Sequence, residues 1–319
     1  MQSSFVRNAC LLVALAMLAL PGSIAARAAA VTVRDATSRI VSTADPARIV
    51  SIGGSVTEIL YALGQEHRIV AVDTTSLYPA SALKQKPNVG YLRQLSPEGV
   101  LGLSPSLVIS VEGAGPQDAI TVIEGAAVPF VHVADRFTGE GIIDKIRLIA
   151  AATGTQTRGE CLVAQVRKDL AALDDVRPAQ KRRVLFILSF MNGRAMVAGR
   201  NTAADGVIRL AGGENVMNEI EGYKIVNDEA IVAARPQTVL GMERPGFVLT
   251  AQEVFAHPAF GTTPAATSKS FVAMDALYLL GFGPRTARAA RDLAHTLYPS
   301  LAAVALPSDR ADPADACRQ

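Results

Sequence analysis

The residues from Leu95 to Pro105 follow a pattern that returns in the other half of the chain. Leu95-Ser96-Pro97-Glu98-Gly99-Val100-Leu101 and Val226-Asn227-Asp228-Glu229-Ala230-Ile231-Val232 each present a capping side chain, an acid and an apolar helical stretch. A proline closes each copy, Pro105 and Pro236, and an apolar run follows. The same 131 residues separate Glu98 from Glu229 and Pro105 from Pro236. Each copy also comes after a Gly-Tyr pair, Gly90-Tyr91 and Gly222-Tyr223. A match this short gains weight because the same α/β order surrounds both copies. Together they predict two similar lobes, and clefts between lobes are favoured ligand sites.

Within the first lobe, read as residues 45–138, Arg48-Ile49-Val50-Ser51-Ile52 is a β-branched run ending in Gly53-Gly54. Ser55 is the expected N-cap of a helix over Val56 to Leu63, with Glu58 completing a capping box and Gly64 closing the helix. Ile69-Val70-Ala71-Val72 supplies the next strand, so the unit implies a parallel sheet. Leu107 to Ser110 and Val128 to Val133 read as further strands. The Glu112 to Pro116 turn lies at a strand's carboxyl end, where open α/β sheets take ligands. Residues 139–180 are helical. Ile142, Ile143, Ile146 and Ile149 hold one spacing, and Leu162, Val163, Val166, Leu170 and Leu173 resume it after Gly154. This region is read as a rigid connector, with an ordinary surface helix as the alternative. The second lobe spans 181–306 and opens on the apolar run Arg183 to Leu188. Residues 307–319 form a polar tail, expected to be disordered. The fold class is α/β with two Rossmann-like lobes.

The first thirty residues read as an address. Arg7 precedes the apolar run Cys10 to Leu20, and Pro21-Gly22 breaks it. Ala26-Arg27-Ala28 or Ala28-Ala29-Ala30 then offers a cleavage site. The run is short for a membrane span, so residues 1–30 are read as a cleaved signal peptide and the protein as periplasmic. Cys10 lacks the small-residue context of a lipidation site. Cys161 and Cys317 remain. Export permits a disulfide, but their contexts leave pairing open.

A net charge of +2 without a basic block excludes nucleic acid as an expected partner. His67, His132, His257 and His295 are scattered and form no compact metal pattern, and there is no G-x-S-x-G elbow. Gly53-Gly54 resembles a phosphate loop only loosely, since neither G-x-G-x-x-G nor a following Lys-Ser/Thr is present. An enzyme is not expected.

Tyr91 is the candidate with chemistry to offer. A deprotonated phenol is a hard anionic ligand, and ferric haem accepts tyrosine axially. A phenol titrates near ~10, so the iron and a nearby cation must favour the phenolate. In an extended loop Arg93 would project beside Tyr91 and supply that cation. Most loop tyrosines serve packing, so residue type alone leaves both roles open. Glu98 and Glu229 likewise suit the helix dipole, or a pair of docking acids, one per lobe.

The sequence resembles the periplasmic haem-binding proteins of bacterial ABC haem importers, within the cobalamin and iron-siderophore binding superfamily. The likeness covers nearly the whole mature chain. It rests on Val50 to Glu58, Val72 to Pro79, Val89 to Arg93, Glu112 to Pro116, Ala198 to Asp205 and Leu280 to Arg285. It implies the class III periplasmic binding protein architecture, two lobes bridged by one long rigid helix, with ferric haem b carried in the cleft. The family's axial tyrosine falls on Tyr91, its companion arginine on Arg93, and its docking acids on Glu98 and Glu229. Some members add a histidine in the turn after the second lobe's first strand. Here that turn reads Ser189-Phe190-Met191-Asn192-Gly193, so five-coordinate iron is preferred over ligation by Met191. Lys224 and Arg244 are candidates for the propionates. The implied partners are an inner-membrane ABC haem permease and its ATPase, with an outer-membrane haem receptor upstream. A siderophore or corrinoid carrier is the runner-up, and an enzyme acting on a phosphorylated ligand comes last.

Overall fold

The computed structural model describes residues 30–44, 46–176, 178–302, 304–309 and 317. The segment read as a signal peptide lies outside them. The described chain opens on an antiparallel hairpin of β1 (Val31–Arg34) and β2 (Ile40–Thr43). The Asp35 carboxylate holds the hairpin together and ties it to the lobe. It accepts the Thr37 hydroxyl at 2.7 Å, the Arg39 amide at 3.0 Å and the His132 amide at 3.4 Å.

The first lobe runs β3 (Ile49–Ile52), α1 (Gly54–Ala62), β4 (Ile69–Val72), α2 (Ser81–Gln85), α3 (Pro97–Leu101), β5 (Leu107–Val111), α4 (Gln117–Gly125) and β6 (Phe130–Val133). Its strands are parallel in the order β4-β3-β5-β6. β3 and β5 are buried along their whole length, as strands covered on both faces must be. The chain leaves β3 to one side for β4 and returns to the other for β5. The carboxyl ends of β3 and β5 therefore flank the crevice at which such sheets take ligands.

The start of α1 differs from the sequence expectation. Gly53, at φ 110°, is the N-cap and no side chain caps the helix. Glycine is the residue that reaches this backbone region without strain. The helix therefore begins two residues early and draws Ser55 inside it. The Ser55 hydroxyl accepts from Lys145, and Glu58 reaches out of the lobe altogether.

The bridge is not one unbroken helix. α5 (Gly139–Thr153) and α6 (Gln156–Ala172) fold back on each other. Gly154 is left-handed at φ 70°, and the amides of Gly154 and Thr155 return to Ala151 and Ala150. This is a Schellman stop, which satisfies carbonyls at a helix end. Antiparallel packing follows: Arg147 forks onto Glu160 at 2.7 and 2.9 Å, and a Cβ on Gly159 would sit 2.4 Å from that of Ala150.

The second lobe contains β7 (Arg183–Met191), β8 (Arg194–Ala198), α7 (Ala203–Leu210), β9 (Glu214–Asn215), β10 (Tyr223–Ile225), α8 (Asp228–Ala234), β11 (Thr238–Arg244) and β12 (Phe247–Val248). It continues through α9 (Ala251–Ala256), α10 (Pro258–Gly261), α11 (Pro264–Thr267), β13 (Phe271–Asp275), α12 (Ala276–Leu280) and α13 (Thr286–Leu297). The sheet runs β10-β8-β7-β11-β12, with β13 also on β11 and β9 on β7. β7, β11 and β13 are parallel, β8 and β12 run against them, and β10, antiparallel to β8, runs with β7 again.

One hydrophobic cluster passes from lobe to lobe, joining Val56 and Ile142 to Phe186, Ala204, Leu279 and Phe282. Phe137 meets Phe282 edge-on at 5.3 Å. Gly206 permits this contact, since a Cβ there would lie 2.6 Å from the Phe137 carbonyl and from the Phe282 ring. A shared core opposes large relative motion of the lobes.

The described part of the tail is tied down, contrary to the expectation of disorder. The Ser308 amide donates to buried Asp169 at 3.0 Å, and Arg291 pairs with Asp309. Cys317 is buried and disulfide-bonded to Cys161 on α6. A covalent and polar anchor holds a stretch whose composition carries no packing signal.

Candidate functional site

The Tyr91 loop is built by backbone bonds. The Asn88 side chain accepts the Gly90 amide at 2.7 Å, and Gly90 takes φ 94°. The Thr74 amide donates to the Gly90 carbonyl at 2.9 Å. The Gln94 amide then returns to the Tyr91 carbonyl at 2.7 Å. Tyr91 to Gln94 is therefore a β-turn, not the extended stretch expected, and strand alternation does not align Tyr91 with Arg93. Leu92 and Leu95 bond reciprocally to Gly115 at 2.8 Å, which joins this turn to the Glu112 to Pro116 turn beyond β5. Val89 and Leu95 are buried while Tyr91 remains 40% exposed and Arg93 is exposed. The loop is thus anchored at both ends and offers its phenol and guanidinium outward.

Arg93 reaches the other lobe electrostatically. Burial pushes the Tyr223 phenol up to about 12, while the Ala204 amide and the Arg93 charge pull it down and Asp135 opposes them. Tyr223 packs edge-on to Phe186 at 6.4 Å. The two Gly-Tyr loops therefore differ in kind. Tyr223 is a partly buried phenol held at the start of α7, and Tyr91 is exposed. Tyr223 as the facing wall escaped the sequence reading, although the repeated Gly-Tyr pair was the available signal.

Asp135, at the end of β6, completes this face of the first lobe. It accepts Lys145 Nζ at 2.8 Å, and its amide donates to Glu112 at 3.2 Å. Lys145 is fully buried and donates also to Ser55 at 3.2 Å. No short motif marks this pair.

Three of the remaining sequence candidates, Met191, Arg244 and Lys224, are dispersed over the second sheet. Met191 ends β7 opposite Arg194 and is 45% exposed. Arg244 ends the parallel strand β11 and lies over the Phe247 ring at 5.5 Å. Lys224 is exposed on β10, pairs with Val197, and points to the opposite face from Tyr223. Glu98 and Glu229 are both the second residue of their helices, and both are exposed. Ser96 caps one helix through the Gly99 amide at 3.2 Å, and Asn227 the other through Ala230 at 3.1 Å. The Ser96 hydroxyl also donates to Glu98 at 2.7 Å and holds that carboxyl below its ordinary range.

The glycine pair is not a phosphate cradle. The Gly53 amide donates to buried Asp73 at 2.8 Å and the Gly54 amide to Thr75 Oγ1 at 2.9 Å. The donors an anion would need are already taken, one of them by a carboxylate.

A family model described as periplasmic binding protein matches residues 49–278. The chain belongs to the periplasmic binding protein family. Among solved structures, the apo form of the periplasmic heme-binding protein RhuT from Roseiflexus sp. RS-1 is 40% identical, with TM-score 0.75, over 79% of this chain and 98% of that one. The periplasmic heme-binding protein HutB of Vibrio cholerae is 34% identical, with TM-score 0.71, over 79% and 99%. An uncharacterized ABC transporter substrate-binding lipoprotein of Bacillus subtilis is 25% identical over 84% of this chain and 86% of its own. As a member of a periplasmic binding protein family of ABC importers, the chain is an extracytoplasmic solute carrier and not an enzyme. Among the described residues no helix is long and apolar enough to cross a membrane.

Proposed function

We propose that this periplasmic binding protein captures ferric haem b between its lobes and delivers it to an inner-membrane ABC permease and its ATPase. The observation that supports this most is the 40% identity to a heme-binding protein over nearly all of that chain. The exposed phenol of Tyr91, on the anchored turn that also carries Arg93, supplies the ligand chemistry. Its oxygen would take an axial position on iron, and the Arg93 guanidinium would favour the phenolate. Tyr223 would form an apolar wall with Phe186 and leave the iron to Tyr91. Five-coordination is preferred, because the Met191 thioether is a soft donor for ferric iron. Arg244 and Lys224 are the candidates for the propionates, and Arg244 sits at the carboxyl end of a parallel strand.

Glu98 and Glu229 are proposed to dock on the permease, one from each lobe. Both are exposed and equivalently capped. A cleaved signal peptide over residues 1–30 would bring the chain to the periplasm, where the Cys161–Cys317 disulfide is at home. An outer-membrane haem receptor would supply the ligand.

The test is a titration of the mature protein with hemin, cyanocobalamin and a ferric siderophore, followed in the visible region and repeated on Tyr91→Ala. Saturable binding of hemin alone is expected, with a high-spin ferric phenolate spectrum that the variant loses. Binding of cobalamin or siderophore in place of hemin would move the reading to the runner-up.

A further inference from the structure

Two of the sequence motifs, Val50 to Glu58 and Leu280 to Arg285, lie 227 residues apart at their charged ends and meet where the lobes touch. The Arg285 guanidinium donates to Glu58 Oε2 at 3.0 Å, and the Arg285 amide donates to Oε1 at 3.2 Å. Both side chains are largely withdrawn from water, with Glu58 5% and Arg285 18% exposed. We propose that Glu58 and Arg285 are positioning residues that pin the two lobes at one angle, and that this pin governs how fast a bound ligand leaves. The part concerning ligand release rests on the haem reading above; the part concerning lobe angle does not.

The surroundings fit a pin and not an incidental surface pair. Glu58 belongs to α1, rooted in the buried strand β3, while Arg285 stands on the turn between α12 and α13. The two groups are thus fixed to different rigid bodies. The guanidinium stacks on the ring of Tyr78 from the first lobe at 3.5 Å. On the other side the Tyr278 ring of the second lobe lies 5.3 Å away, and its hydroxyl is held by Asp292 at 2.7 Å. The cation therefore touches both lobes, through a carboxylate and a ring on one and a ring on the other. Gly283 makes room for this approach, since a Cβ there would come within 3.3 Å of the Glu58 carboxyl. Next to the pair, a Cβ on Gly54 would lie 2.5 Å from Leu277, so the backbone of α1 is pressed against α12.

Arg285 Nε is buried without a hydrogen-bond partner. A fork placed for its own satisfaction would use that proton. Here the guanidinium serves Glu58 and the tyrosine ring instead, as expected of a group positioned by an inter-lobe constraint. Directional charge-assisted bonds between two rigid bodies fix an angle, which apolar contact alone does poorly. Rotation of one lobe away from the other must first break the Glu58 bonds and the Tyr78 stack. The pin lies beyond the carboxyl end of β3, the same edge of the first lobe from which the Tyr91 turn is held. It can therefore set the opening at Tyr91 while touching no ligand.

The test places spin labels at Val122→Cys and Val232→Cys, which are exposed on α4 and α8 of opposite lobes. The native cysteines Cys161 and Cys317 are bonded and take no label. Wild type should give one narrow inter-label distance, and Glu58→Gln and Arg285→Lys should broaden it. In the same variants hemin should pass to apomyoglobin about tenfold faster, with an unchanged visible spectrum of the complex. A distance distribution identical to wild type in folded variants overturns the pin. Broadening with an unchanged release rate overturns the link to ligand. If wild type binds no hemin, the haem reading fails and the distances still decide the pin. Should both variants fail to fold, hydrogen exchange on wild type decides: the Arg285 amide must exchange as slowly as the core of α1, and fast exchange would refute the pin.

Discussion

Lys145 and Asp135 give a sharp asymmetry. The ammonium is fully buried and the carboxylate about one-third exposed, with 2.8 Å between them. Asp135→Asn leaves a buried cation with only the Ser55 hydroxyl and a neutral amide as partners. Stranding a buried charge costs about 3–5 kcal/mol, and the lower end applies because Ser55 still accepts. Lys145→Met leaves Asp135 where water reaches it and fills the vacated space with a side chain of similar length. That cost is about 1 kcal/mol. For a protein of this size the difference corresponds to a fall in Tm of about 6–12 °C for Asp135→Asn against about 2–4 °C for Lys145→Met. The double variant should be more stable than Asp135→Asn alone, because removing the lysine removes the stranded charge. Thermal and urea unfolding followed by circular dichroism at neutral pH measure all three. A Lys145→Met variant as damaged as Asp135→Asn, or simple additivity in the double, would refute the reasoning.

Three further outcomes follow from the fold. Replacing both Cys161 and Cys317 with alanine opens a link spanning 156 residues and should cost about 2–5 kcal/mol, read as a lower urea midpoint; an unchanged midpoint would show that the polar contacts of the tail suffice. Gly206→Ala should cost about 1–3 kcal/mol, since its Cβ meets backbone and ring from both sides, and a neutral substitution would mean that the Phe137 contact is soft. Burial raises the Asp35 carboxyl, but hydrogen bonds from Thr37, Arg39 and His132 outweigh it and hold the group below its ordinary value of 3.8. Its folded pKa is thus depressed, so its contribution is present above pH 3.8 and is lost as pH falls through the folded value. Asp35→Asn should lower stability at neutral pH and flatten the acid limb, and an unaltered acid limb in a pH series of melts would contradict this.

The order of strands and helices was legible because parallel strands are apolar along their whole length and helices stop at glycine. The repeat of Ser96 and Asn227 as caps was legible because capping is local. The hairpin of β1 and β2 was not, since two four-residue strands with alternating exposure carry little periodic signal. Nor was the fold-back at Gly154: one glycine reads equally as an interruption or an end, and the packing of α5 on α6 decides. Ser55 as a cap failed because the backbone of Gly53 started the helix earlier. Within the site, the anchored turn carrying Tyr91 was legible as a loop leading into a helix, but its turn geometry was not. Tyr223 was marked only by the repeated Gly-Tyr pair, and the Lys145–Asp135 and Glu58–Arg285 pairs depend on partners distant in sequence, which no local pattern announces.

Resonance Raman spectroscopy of the hemin complex, excited in the phenolate-to-iron charge-transfer band, tests the central proposal most directly. The wild type and Tyr223→Phe should both show the ring modes of an iron-bound phenolate, and Tyr91→Phe should lack them. Phenolate modes that survive in Tyr91→Phe and vanish in Tyr223→Phe would contradict the account.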